Sequence, residues 1–255
     1  MTDTISRIAY PLAGVLILIA IWSGAVHLLK VSPAVLPAPE AVLMAFVQWF
    51  PLLLKEGWVT LQETVLGFLL ALVVGIPLAV AIANSRPLNL MFYPLLVALQ
   101  SVPKVALAPI VLVWLGTGLE SKLAIVWLVA FFPIIIDTAA GLRSTPRELI
   151  ELARSLKASH WQVFYKVQFP AALPFVLTGA KVAITLAVIG AVIGEFMGSS
   201  SGLGYLLLSA TSQLNTPLAF AALFALSFLG LGVYAVIEVI ELMLSRWLPP
   251  KPAGH

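Results

Sequence analysis

Six stretches of nearly unbroken apolar residues frame this chain: about Tyr10 to Leu29, Thr60 to Ala83, Leu88 to Leu115, Lys122 to Leu142, Ala171 to Met197 and Leu218 to Leu244. Each is long enough to cross a hydrocarbon core about 30 Å thick, which a helix of about 20 residues spans. The pattern predicts an all-α, polytopic membrane protein with six transmembrane helices, residues 1–255 forming one transmembrane domain. Helix breakers interrupt several spans: Pro77 in the second, Pro94, Pro103 and Pro109 in the third, Gly190 and Gly194 in the fifth. Backbone freed by such breaks is tolerated at membrane depth only where protein or water satisfies it. The third and fifth spans are therefore the expected walls of a cavity.

The polar stretches between the spans carry signals of their own. Ser144 to Pro174 reads STPRELIELARSLKASHWQVFYKVQFPAALP. Thr145, Pro146 and Glu148 have the spacing of an N-cap, a first-turn proline and a capping-box acid, and Ser159 with Gln162 repeats the box. Two helices are predicted, the second from about His160 until Pro170 limits it. Leu149, Leu152, Ala153 and Leu156 form a stripe on the first helix, and a stripe needs cover. Its own bundle and another subunit both remain open. Residues 31–57, punctuated by Pro33, Pro37, Pro39 and Pro51, read as an external interfacial segment, where Trp49 and Trp58 suit a headgroup region. Gly198 to Tyr205, GSSSGLGY, reads as a bend, followed by an apolar stretch too short to span.

Composition narrows the class further. With 61% hydrophobic and 10% charged residues, the chain lies outside the range of soluble domains. Its net charge of +3 comes largely from basic residues at the ends of spans, which marks topology rather than nucleic-acid binding. Arg7, Arg86, Arg143, Arg147, Arg154, Lys157, Lys166, Arg246 and Lys251 fall on one side, against Lys30, Lys55 and Lys122 on the other. The positive-inside rule then places both termini and the 144–170 loop in the cytoplasm. The first span, preceded by Arg7, is too long for a signal-peptide core and is read as retained. There is no cysteine, the histidines His27, His160 and His255 are far apart, and no GxxxxGK[ST] loop occurs. The chain is expected to bind no metal, no ATP and no cofactor, and to be no enzyme.

Ionisable residues inside apolar spans are costly and mark a pathway or a pair. Glu63 and Glu238 are expected near the interfaces and Asp137 to pair with Lys181. Glu195, just before the Gly/Ser bend, is a gate candidate or a partner for the backbone N–H groups of that bend. Pro103, Lys104, Pro109, Lys181, Glu195, Gly198 and Ser199 are the candidate pathway or gate residues.

The run Glu151-Leu152-Ala153, three residues, Lys157, nine residues and Val167-Gln168-Phe169-Pro170 resembles the EAA loop of ATP-binding-cassette importer permeases. SVPKVALAPIVLVWLGTG, AALPFVLTGAKVAI and GEFMGSSSGLGYLL extend the resemblance to the nitrate, sulfonate and taurine group. The SVPKVALAPI run is similar also to permeases for thiamine-precursor pyrimidines, riboflavin or aromatic acids. The resemblance implies a type I importer permease fold in a bacterial inner membrane. It also implies a second permease, in all a homodimer, cytoplasmic ATPase subunits that hold ATP and Mg, and an external solute-binding protein. It assigns the 144–170 loop as a coupling helix that docks on the ATPase, with Glu148, Leu149, Glu151, Leu152, Ala153, Arg154, Leu156, Lys157, Ala158, Val167 and Pro170 as its residues. Leu152 replaces the motif's middle alanine, and Lys157 replaces its glycine. Glycine at such a turn supplies a left-handed residue, so either the turn has another geometry or a partner stabilises it. The competing class is an ion- or proton-coupled secondary transporter with Asp137, Lys181 and Glu195 as its relay. It calls for an internal repeat, and none is evident.

Overall fold

The computed structural model describes residues 2–244, with side chains from residue 9 onward. The side chain of Arg7 and the residues Arg246, Lys251 and His255 lie outside the described residues. All regular structure among the described residues is helical: α1 (Thr2–Leu28), α2 (Pro39–Gln48), α3 (Phe50–Asn84), α4 (Arg86–Gln100), α5 (Ala108–Leu115), α6 (Leu119–Arg143), α7 (Arg147–Ser155), α8 (His160–Val163), α9 (Phe169–Gly198), α10 (Leu203–Ser212) and α11 (Thr216–Leu244). A 3₁₀ turn at Lys104–Leu107 precedes α5, and a π turn at Phe164–Gln168 precedes α9. Five of the described helical spans are long and apolar enough to cross a membrane. α4 and the stretch Lys104–Leu115, bent by 90° at their break, pass the same length and composition test only when taken together, and as one broken span they would make a sixth.

Of the expected breaks, only the one before Pro103 interrupts a helix. Pro103 has no N–H to donate and disfavours helix at the residue before it, and α4 accordingly ends at Gln100. Pro77 and Pro94 sit inside continuous α3 and α4, and Gly190 and Gly194 inside continuous α9. These glycines are packing positions and not breaks. A Cβ at Gly190 would stand 2.9 Å from the Cα of Val126, so the backbones of α6 and α9 approach as only a glycine permits. Buried Ala183, Ala187 and Ala191 continue that small-residue face on α9. The α6–α9 contact is accordingly extensive.

Pro170 does not stop its helix either. The preceding π turn, closed by the Phe169 N–H on the Phe164 carbonyl, widens the backbone where the proline ring would strike the previous turn. Helix therefore runs on from His160 to Gly198 over 39 residues. Within the expected 31–57 segment, α2 is a separate helix, whereas α3 already starts at Phe50, ten residues before the expected second span.

The chain divides into two compact units. One comprises residues 1–59 and 201–227. In it Trp22 stacks on Phe220 at 5.9 Å between centroids and donates its indole N–H to the Pro37 carbonyl at 3.1 Å. The Thr216 hydroxyl donates to the Ala34 carbonyl at 2.8 Å. The other unit comprises 60–200 and 228–255, and within its described residues holds the main core, centred on Val126, Ala130, Ile134 and Ile135 of α6 and the alanines of α9.

Candidate functional site

Three features bring polar or exposed groups together: the turn between α7 and α9, a buried ionic cluster, and the broken span.

At the turn, the first helix begins one residue later than the capping pattern predicts. Pro146 occupies the N-cap position, no side chain caps it, and the Thr145 hydroxyl donates back to the Leu142 carbonyl at 3.1 Å. Thr145 thus finishes α6 instead of starting α7, and Glu148 moves to the second position. The second box forms as read: the Ser159 N–H donates to Gln162 Oε1 at 2.8 Å, and the Gln162 N–H to Ser159 Oγ at 3.3 Å. Between the two helices Lys157 has φ +59°, the left-handed conformation of the glycine it replaces. The Ala158 N–H reaches the Ala153 carbonyl at 3.1 Å and the Lys157 N–H the Arg154 carbonyl at 2.9 Å, the paired bonds of a Schellman cap.

The stripe on α7 divides. Ala153 is half-buried along with Ile150, while Leu149, Leu152 and Leu156 are 47%, 58% and 76% exposed and spaced three and four apart on one face. Trp161 and Tyr165 are exposed beside them in sequence, and Glu148, Glu151, Arg154 and Lys157 are exposed as well. Ala158 and Val167 are half-buried, as is Pro170 in the first turn of α9. Among the described residues this leucine ridge is uncovered.

The buried cluster revises three expectations. Glu63 is not at an interface: it is 2% exposed, and its Oε1 receives Lys122 Nζ at 2.6 Å. Glu195 is 1% exposed and accepts the Thr60 hydroxyl at 2.6 Å, with its carboxyl beside that of Glu63. Glu63 Oε2 has no hydrogen-bond partner. Charged groups so deep survive only when paired and bonded, so Thr60, Glu63, Lys122 and Glu195 tie α3, α6 and α9 into one polar knot. Gly194 gives it room, since a Cβ there would meet Lys122 Cγ at 3.3 Å. Lys181 does not pair with Asp137. It bonds Glu241 at 2.5 Å and Glu238 at 3.4 Å on α11, with its ammonium 5.5 Å from the Tyr234 ring centroid. The spacing of Glu238 and Glu241, three residues apart on one helix, was the signal that could have found this pair.

Beside the break, a cavity of about 210 Å³ opens between the end of α4, α6 and α9, lined by Gln100, Lys104, Val129, Phe132, Leu186 and Ile189 among others. Lys104 Nζ donates to the Gln100 carbonyl at 2.7 Å and lies 4.8 Å from the Phe132 ring centroid. Of the candidate pathway residues, Lys104 lines this cavity, while Pro103 and Pro109 are exposed neighbours of it in sequence and are not among the lining residues. Lys181 and Glu195 are held in ion-pair and hydrogen-bond contacts elsewhere, and Gly198 and Ser199 close the end of α9.

A bundle of spanning helices, one of them broken, with an ordered helical turn carrying an uncovered apolar ridge, has the build of a transport permease. Residues 67–248 match the family described as binding-protein-dependent transport system inner membrane component, and the chain belongs to that family. It is 37% identical over 233 residues to the formylaminopyrimidine transport permease protein of Halalkalibacterium halodurans, covering 91% of this chain and 93% of that one. It is 36% identical over 250 residues to the riboflavin transport system permease protein of Chloroflexus aurantiacus, covering 96% and 93%. The taurine transport system permease protein of Escherichia coli is 28% identical, covering 91% and 86%. In fold the chain is similar to a chain of the MetNI methionine ABC transporter in an inward-facing conformation, with a TM-score of 0.59 and 24% identity over 74% of this chain and 98% of that one. Nothing in these likenesses favours a secondary transporter.

Proposed function

We propose that this chain is the permease subunit of an ATP-driven importer of a small solute in a bacterial inner membrane. It works beside a second copy of itself, two cytoplasmic ATPase subunits and an external solute-binding protein. The observation that carries the reading is the uncovered ridge of Leu149, Leu152 and Leu156 on an otherwise polar turn. Three exposed leucines on one face of a short helix lose free energy to water unless something covers them. The excess of Lys and Arg on the side of this turn supports a cytoplasmic position, where an ATPase subunit is the partner the family implies. ATP and Mg belong to that subunit, because the sequence of this chain has no phosphate-cradling loop.

The geometry gives the coupling a route. A displacement of α7 reaches α8 through the turn at Lys157, and α8 continues through the π turn into α9 without a break. Since α9 is clamped to α6 by close backbone contact, the two move together as one rigid body, and the cavity that they share with the broken span changes shape. The solute is small. Formylaminopyrimidine, riboflavin and taurine, named for the relatives, mark the range from which it comes.

Leu152→Asp puts a charge at the centre of the ridge and touches no core residue. Expected is loss of ATP-dependent uptake and of co-purification with the ATPase, while the permease stays folded in detergent. Retained uptake and co-purification would overturn the docking assignment.

A further inference from the structure

Three lysines, Lys104, Lys122 and Lys181, lie inside the apolar runs of the sequence, and the structure treats one of them differently; Lys55 and Lys166, near the ends of the longer helices, are exposed. Lys122 is paired with Glu63, and Lys181 with Glu238 and Glu241. Lys104 has no carboxylate partner among the described residues. Its ammonium has one backbone carbonyl and the face of Phe132, and both leave donors and charge over. An ammonium within an apolar run is expensive to keep unpaired, and the other two of these lysines have counter-ions where Lys104 has none among the described residues.

The surroundings of Lys104 fit a ligand and not a lost structural pair. It lines the 210 Å³ cavity, whose wall is otherwise apolar apart from Gln100, with Val105, Val129, Phe132, Leu186 and Ile189 among its residues. At about 30 Å³ per molecule, that space would hold about seven waters. It therefore admits a solute of a few carbons with a compact head group. A lysine binds such a head group as a point charge, without the fixed fork that arginine imposes, and releases it readily. That suits a transient contact on a pathway.

Resting on the reading of this cavity as part of the solute pathway, we propose that Lys104 forms an anion-selecting subsite. It takes the head group of a small organic monoanion, a carboxylate or sulfonate, while the apolar body lies against Phe132 and Ile189.

The absence of cysteine makes the test direct. Val105 also lines the cavity, next to Lys104, so Val105→Cys in the assembled transporter is a single reporter. The probes are three methanethiosulfonates: neutral methyl, anionic 2-sulfonatoethyl and cationic 2-(trimethylammonio)ethyl. Expected is an anionic-to-cationic rate ratio that falls about tenfold when Lys104→Gln is added and is kept by Lys104→Arg. Millimolar methanesulfonate should slow the neutral reagent in the Lys104 form only. Modification by the neutral reagent with a charge ratio indifferent to Lys104→Gln would overturn the anion site and leave the pathway reading standing. If even the neutral reagent fails to reach the introduced thiol, the cavity is closed to solutes and the pathway reading falls with it.

Discussion

Replacing Lys122 with methionine isolates the energetics of the buried knot. The pair is close, 2.6 Å, and its side chains are only 9% and 2% exposed, so water screens neither charge. Removing the ammonium while keeping its carbon stem leaves Glu63 next to Glu195 with no cation, and one Glu63 oxygen already lacks a partner. Breaking a buried pair from one side costs about 3–5 kcal/mol, whereas replacing both members with apolar residues of similar size is often neutral. If unfolding is irreversible and the whole loss falls on its rate, the folded lifetime at fixed temperature shortens by about a hundredfold or more. The assay is survival of the monodisperse peak on size exclusion after timed heating in mild detergent, for Lys122→Met, Glu63→Leu and the double variant. The double variant should recover to within about 1 kcal/mol of the parent, making the two losses strongly non-additive. Single variants that cost less than about 1 kcal/mol, or a double that equals their sum, would refute the claim that charge pairing holds α3 to α6.

Lys157→Gly should lengthen the same lifetime slightly: it removes about 1 kcal/mol of left-handed strain, and the greater freedom of glycine in the unfolded chain offsets part of that. A shortened lifetime would mean that the lysine side chain holds the turn through contacts of its own. Gly190→Val should cost about 1–3 kcal/mol through overpacking against the Val126 backbone, while Gly230→Val, whose Cβ would meet nothing within 4 Å, is silent in the same heating assay. Glu56→Ala removes the acceptor 2.6 Å from the Gly202 N–H and should raise hydrogen exchange at that amide, with Glu56→Gln closer to the parent. Equal exchange in all three would exclude the carboxylate as the clamp on that bend.

What the sequence could tell depended on how local each cause was. The spans, the Ser159 box and the bend before α10 rest on residues a few positions apart, and each was legible. The left-handed residue at position 157 was legible too, although as an alternative, because a non-glycine residue there is a departure from the expected pattern. Ion pairing was not, since partner choice depends on rotation of one helix about another. Asp137 and Lys181 lie in neighbouring spans, yet the lysine turns to α11. Glu63 reads as interfacial because the apolar pattern begins its span ten residues too late, at Thr60 and not at Phe50. The glycines of α9 read as breaks because a sequence does not distinguish a glycine that bends a helix from one that lets another helix approach. That distinction lies in Val126, more than sixty residues away in sequence. Pro170 shows the reverse case, where one wide turn cancels a strong local stop signal.

The unbroken passage from His160 to Gly198 also sets a mechanical scale. At 1.5 Å per residue, its 39 residues make an arm about 58 Å long. Pivoting about its middle, such an arm needs a tilt of only about 10° to carry either tip some 5 Å, about one helical turn. By that geometry, a tilt that moves Trp161 moves Gly198 by a similar distance in the opposite direction, and the wide turn at Phe164–Gln168 is where the regular helical ladder of the arm is interrupted.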